Sequence, residues 1–123
     1  MPSRERVLAL VAMVEQGKYV EAIEEFYTPD ATMQENNDSP RGGREVLVAG
    51  ERKVLAAHKT VRTEPGSSFV LEGDRVVIHW HFVFVSKDGA RFRMEELALQ
   101  RWRGDRISEE RFFYDPEQRR RPR

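Results

Sequence analysis

The stretch "RVVIHWHFVFV", Arg75 to Val85, constrains the fold of this chain more than any other. β-Branched and aromatic side chains at most positions favour extended backbone, and successive side chains of a strand point to opposite faces. Ile78, Trp80, Phe82 and Phe84 therefore share one face, and Val77, His79, His81, Val83 and Val85 the other. Neither set reads as a solvated surface, so the strand needs cover on both sides. Asp88-Gly89 is a hairpin signal before "ARFRMEELALQRW", and Gly104-Asp105 is another before "RISEERFFYD". Three strands joined by tight turns predict an antiparallel meander. The earlier "VRTEPGSSFVLE" adds an extended run broken at Pro65-Gly66, which belongs at an edge or bulge.

The first half carries helical rather than alternating periodicity. Ser3 stands where an N-cap belongs, and Val7, Leu8, Leu10, Val11 and Val14 recur at helical spacing before Gly17. A second short helix is predicted from about Lys18, with Val20, Ile23, Phe26 and Tyr27 on one side, until Thr28-Pro29-Asp30 ends it. A third is predicted over 44–58, with Leu47, Val54 and His58 on one stripe. Helices first and a meander second predict an α+β fold with the helices gathered on one side of the sheet. They can cover only one face, so the other is expected to meet a second copy of the chain in a homodimer packed sheet to sheet.

Composition removes several function classes. The 123 residues suit one domain, and 39% hydrophobic content with seven Phe, three Tyr and two Trp suits a packed core. Cysteine is absent, which excludes thiolate nucleophiles and thiolate zinc sites and makes a cytoplasmic location the expectation. The apolar run near the N-terminus is too short to span a bilayer and has no cleavage-site pattern, so no membrane partner is expected. Basic and acidic residues balance at 21 each, but the final "PEQRRRPR" holds four of the arginines. The body is therefore mildly acidic, which argues against a nucleic-acid surface. Residues 116–123 are expected to form a flexible basic tail to a single domain over 1–115. Phosphate loops, a nucleophile elbow and familiar zinc spacings are missing.

Three stretches, "FYTPDATMQE", "RGGREVLVAGERKVLAAH" and "EELALQRWRGDRISEERFFYDP", resemble the nuclear transport factor 2-like superfamily. Its members include ketosteroid isomerases, scytalone dehydratases and SnoaL-like polyketide cyclases, and the likeness runs from about Ser3 to Asp115. The resemblance implies a curved, cone-shaped antiparallel or mixed sheet, with about three helices packed on its concave face around an apolar pocket. The fold is shared by enzymes, binding modules and transport factors, so it does not decide among them.

Glu35 falls where the isomerases place their general-base carboxylate, and desolvation at a pocket mouth would tune such a group for proton transfer. The isomerases' two oxyanion donors fall near Leu10 or Val11 and at about Ala98, none of which can donate a hydrogen bond; the same steroid chemistry is therefore not expected. His79 and His81 share one side of their strand. If that side is inward, they are candidate acid and base groups, or metal ligands beside a carboxylate, although no glutamate follows at the spacing of familiar His-x-His metal motifs. The family register turns them inward, whereas hydrophobicity turns Trp80, Phe82 and Phe84 inward. By the same register Met94, Glu96, Gln100, Trp102, Glu110, Phe112 and Tyr114 look into the pocket. With Phe26 and Tyr27 they form the expected ligand-binding set. The expected function is binding of a small apolar or aromatic metabolite, with cofactor-free and metal-free isomerisation, cyclisation or dehydration through Glu35, His79 and His81. The alternative is a non-catalytic ligand-binding or protein-interaction module on the same fold.

Overall fold

A computed structural model describes residues 1–120. Helix α1 (Arg4–Glu15) opens on Ser3, whose side chain accepts the Arg6 amide at 3.1 Å, and it buries Val7, Leu10 and Val11. Gly17, at φ 81°, turns the chain into helix α2 (Tyr19–Phe26), which buries Tyr19, Ala22, Ile23 and Phe26. The left-handed backbone at that turn suits glycine, which has no Cβ to clash. Strand β1 (Tyr27–Glu35) follows without a loop, so Tyr27, expected on the second helix, opens the strand instead and Thr28-Pro29-Asp30 lies within it. The short strand β2 (Arg41–Gly42) leads into helix α3 (Arg44–Ala57).

The remaining strands are β3 (His58–Thr63), β4 (Ser68–Glu72), β5 (Arg75–Ser86), β6 (Arg91–Arg103) and β7 (Arg106–Phe113). Their order is β2-β1-β7-β6-β5-β3, with β4 also paired to β5. β5 pairs with β6 from Arg75↔Arg101 to Val85↔Arg91. On its other edge β5 takes two shorter strands, β4 against its first half and β3 against its second. The break between them is the Pro65-Gly66 stretch, with Gly66 at φ 87°. β1 lies parallel to β7, which makes the sheet mixed. Bulges interrupt the register near Tyr27–Thr32, His58–Thr60 and Arg101–Trp102, and such irregularities increase twist and bend a sheet. The result is a curled half-barrel with the three helices on its concave side.

Register decides which side chains face the helices. Ile78 lies opposite Ala98, and Ala98 opposite Phe112, so these three share the inner face. Val76, Ile78, Trp80, Ala98 and Ile107 pack there against Val7, Leu10, Ile23, Phe26 and Leu47. His79 and His81 take the opposite parity and leave the outer face. This corrects the inward placement implied by family resemblance: the alternation that buries Trp80 at 3% exposure necessarily turns its two neighbours out. Within the segment expected as a basic tail, Pro116–Arg120 forms a 3₁₀ turn; residues 121–123 lie outside the described residues. Among the described residues no helix is long and apolar enough to cross a membrane.

Ile78 is fully buried and Val46, on α3, is 53% exposed. Ile78→Ala should therefore cost about 2–5 kcal/mol in urea unfolding, and Val46→Ala should stay within about 0.5 kcal/mol. Equal losses at both positions would contradict the inward placement of Ile78.

Candidate functional site

The concave face and the helices enclose a cavity of about 180 Å³. A void of roughly 150 Å³ admits benzene, so this one has room for a single-ring molecule. Leu10, Ile23, Leu47 and Val54 close it from the helices, and Trp80, Phe82, Phe84 and Phe112 from the sheet. Into this apolar lining project four carboxyl groups: Glu35, Glu51, Glu96 and Glu110.

Glu35 ends β1 at the rim. Its Oε2 lies 3.1 Å from Arg41 Nη2, and its Oε1 lies 3.5 Å from Arg119 Nη2. The Tyr114 hydroxyl donates to Oε1 at 2.5 Å. The backbone turn at Asn36, φ 51°, holds this arrangement: its amide donates to Phe112 O at 2.8 Å, and its side-chain oxygen accepts the Tyr114 amide at 2.9 Å. Asparagine tolerates that left-handed backbone better than most residues. Burial and then the hydrogen bond to Glu35 push the Tyr114 phenol up, so it stays a donor.

Glu110 lies deeper, 4% exposed. It accepts a hydrogen bond from the Tyr27 hydroxyl, and its Oε2 accepts one from Gln100 Nε2 at 2.7 Å. Gln100 Oε1 in turn accepts the Trp102 indole N–H at 3.0 Å. Every member of this chain is buried, and every member has a partner, as a low-dielectric setting demands. Desolvation pushes the Glu110 carboxyl up to about 7, against the lowering by Tyr27 and Gln100. Among the described residues Glu96 has no such donors. Desolvation, then the negative charges of Glu35 and Glu110, push it up to about 8. Glu51 on α3 is also raised, by burial foremost. At neutral pH Glu96 is therefore a carboxylic acid with an O–H to donate, in the same cavity as the ion-paired Glu35.

Of the residues expected at a site, the structure brings Glu35, Tyr27, Glu96, Gln100, Glu110 and Phe112 to the cavity lining. Tyr114 reaches it through Glu35. Phe26 and Met94, each 1% exposed, and Trp102, 2% exposed, are packed into the protein interior and do not line the cavity. His79 and His81 are outside it, against Glu95. Sequence reasoning missed Glu51, Arg41 and Arg119. Glu51 had a readable signal, because it stands four residues after Leu47 and three before Val54, on the apolar stripe of α3. Arg41 and Arg119 had none, since each meets Glu35 only through chain folding.

These raised carboxyls set a sign for stability against pH. Between the ordinary 4.5 and the folded values of about 7 for Glu110 and about 8 for Glu96, the folded chain binds more protons than the unfolded one. Their contribution is therefore complete below about pH 4.5 and lost as pH rises to about 8. Melting temperature across that window should show this decline, and Glu96→Gln should flatten its upper part. An unchanged slope in the variant would show that Glu96 is not held neutral.

Comparison with known proteins places the chain in a family. A candidate SnoaL-like polyketide cyclase from Mesorhizobium loti is similar over 93% of this chain and all of its own, at 24% identity and TM-score 0.71. A hypothetical protein of ketosteroid isomerase-like fold from Catenulispora acidiphila, crystallised with trimethylamine, matches at 23% identity and TM-score 0.77, covering 94% of this chain and 89% of its own. TerC, co-crystallised with polyporic acid, matches at 19% identity and TM-score 0.75 over 90% and 89% of the two chains. Likeness at these identities speaks for the fold alone. No curated protein matches the chain. The sequence model of the SnoaL-like domain, however, matches residues 7–110, and the chain belongs to that family.

Proposed function

We propose that this protein binds a small aromatic or apolar carbonyl compound in its cone and moves a proton on it without a cofactor. The observation that carries this reading is the pair of unlike carboxyls in one apolar cavity: Glu35 in two ion pairs, and Glu96 pushed up to about 8. Environments that push two carboxyls apart assign one as base and the other as acid. Glu35 takes the proton from the carbon beside the carbonyl, and the Glu96 O–H donates to the oxygen as the enolate forms. The proton then returns at another carbon in an isomerisation. If a hydroxyl sits beta to the carbonyl, it takes the proton held by Glu35 and leaves as water; if an internal carbonyl carbon lies in reach, the enolate carbon attacks it and that carbonyl's oxygen takes the proton as the ring closes. Leu10 and Ala98 offer no donor, but Glu96 lies two residues from Ala98 on the same face of β6 and supplies one. Trp80, Phe82 and Phe112 shape the slot for a flat ligand.

A binding role without turnover has its own supporting observation. Both Glu35 oxygens already face guanidinium groups or a tyrosine O–H, so a substrate C–H must displace one of these donors to reach the carboxylate. Hydrogen–deuterium exchange on a panel of aromatic 1,3-diketones separates the two readings. Catalysis predicts exchange that Glu35→Gln lowers about 100-fold or more, with folding intact. The rate should also fall as pH rises through about 8, where Glu96 ionises, and Glu96→Gln should remove that fall. Saturable binding with no exchange would leave the binding role alone.

The reading includes a homodimer through the outer sheet face, where Val70, Leu97, Leu99 and Phe113 are exposed. Sedimentation should give twice the mass of one chain, and Leu99→Lys should give a folded monomer. A monomeric wild type would remove the dimer.

A further inference from the structure

Two histidines and a glutamate converge on the outer face of the sheet, outside the cavity. His79 and His81 stand two residues apart on β5, so both imidazoles leave the same side. Glu95 on β6 is the direct cross-strand neighbour of His81. Both rings present Nε2 to one oxygen: Glu95 Oε2 lies 2.6 Å from His79 Nε2 and 3.3 Å from His81 Nε2. The three donor atoms lie within 4.8 Å of one another, and the two ring centroids are 4.5 Å apart.

We propose that His79, His81 and Glu95 form a binding site for a divalent first-row transition-metal ion of the zinc, cobalt, nickel and copper group. An ion about 2.1 Å from two imidazole nitrogens and one carboxylate oxygen holds those donors roughly 3 Å apart when they share one side of its shell. The two N···O separations bracket that value, so small side-chain rotations bring all three into range. The supports are rigid. Both histidines lie in the middle of β5, which is paired on both edges. Gln118 clamps the Glu95 backbone, its Oε1 accepting the Glu95 amide at 2.9 Å and its Nε2 donating to the Glu95 carbonyl at 3.1 Å.

The donor chemistry selects the class of ion. Imidazole nitrogens suit zinc, copper and nickel, whereas magnesium and calcium require oxygen shells. The nearby Glu64 is taken by Arg93 at 2.8 Å, so the charge offered to the ion comes from Glu95. His79, His81 and Glu95 have side-chain exposures of 38%, 25% and 55%, which leaves an entry path without opening the fold. The remaining coordination positions face away from the sheet, towards water or towards a second copy in the dimer proposed above. The site stands independently of the cavity and its proton chemistry.

Calorimetric titration of zinc chloride into the 123-residue chain tests the assignment. One ion per chain should bind saturably, without displacement by magnesium. The double variant His79→Gln/His81→Gln should weaken it by more than the roughly 10–100-fold that outer-sphere partners contribute. Glu95→Gln, which preserves an acceptor for the imidazoles, should weaken it as well, with the metal-free melting temperature unchanged. Copper titration should give an electron paramagnetic resonance spectrum with two nitrogen couplings. No saturable uptake at millimolar zinc, or equal affinity in the wild type and in whichever of these variants folds, would overturn the site.

Discussion

The pairing of β5 with β6 sets the parity on which the rest of the molecule depends. Trp80 faces Glu96 across the strands, and one residue along, His81 faces Glu95. Because side chains alternate with a period of two, these adjacent rungs belong to opposite faces, and a slip of one residue would exchange them. The inner set keeps its place through burial: Val76, Ile78, Trp80, Met94 and Ala98 are all 3% exposed or less. Each large side chain buried this way stabilises the fold by about 1.5–3 kcal/mol. A slip would instead bring Arg93, Glu95 and two histidines against the helices, where unpaired charges are far more costly.

That same parity brings carboxyl groups into an apolar interior, which requires compensation. Glu110 obtains it locally from Tyr27 and Gln100, whose own oxygen is satisfied by Trp102. Glu96 obtains it by protonation, and Glu35 by two arginines and a tyrosine at the rim. Three solutions to one desolvation problem sit within a single cavity. Unlike protonation states side by side are the raw material of acid–base chemistry.

The broad architecture was legible because local signals agreed. Ser3 and Gly17 bracket the first helix, the Asp88-Gly89 and Gly104-Asp105 turns define the meander, and the Pro65-Gly66 break separates β3 from β4. The family resemblance supplied Glu35, Glu96, Gln100 and Glu110 as inward groups, and a strand repeats such a register at every second residue. The same resemblance turned His79 and His81 inward, and there it failed: the hydrophobicity of Trp80, Phe82 and Phe84 pointed to the face that the helices cover.

Residue order by itself determined the element types, the turns and the relative parity along each strand, because these depend on neighbours one to four positions away. Tertiary structure alone decided that Arg41 and Arg119 meet Glu35, that burial leaves Glu96 protonated, and that Glu95 closes on two histidines. Each of those depends on groups brought together from distant parts of the chain. Their charge states follow from desolvation and electrostatic fields that exist only once the sheet has curled.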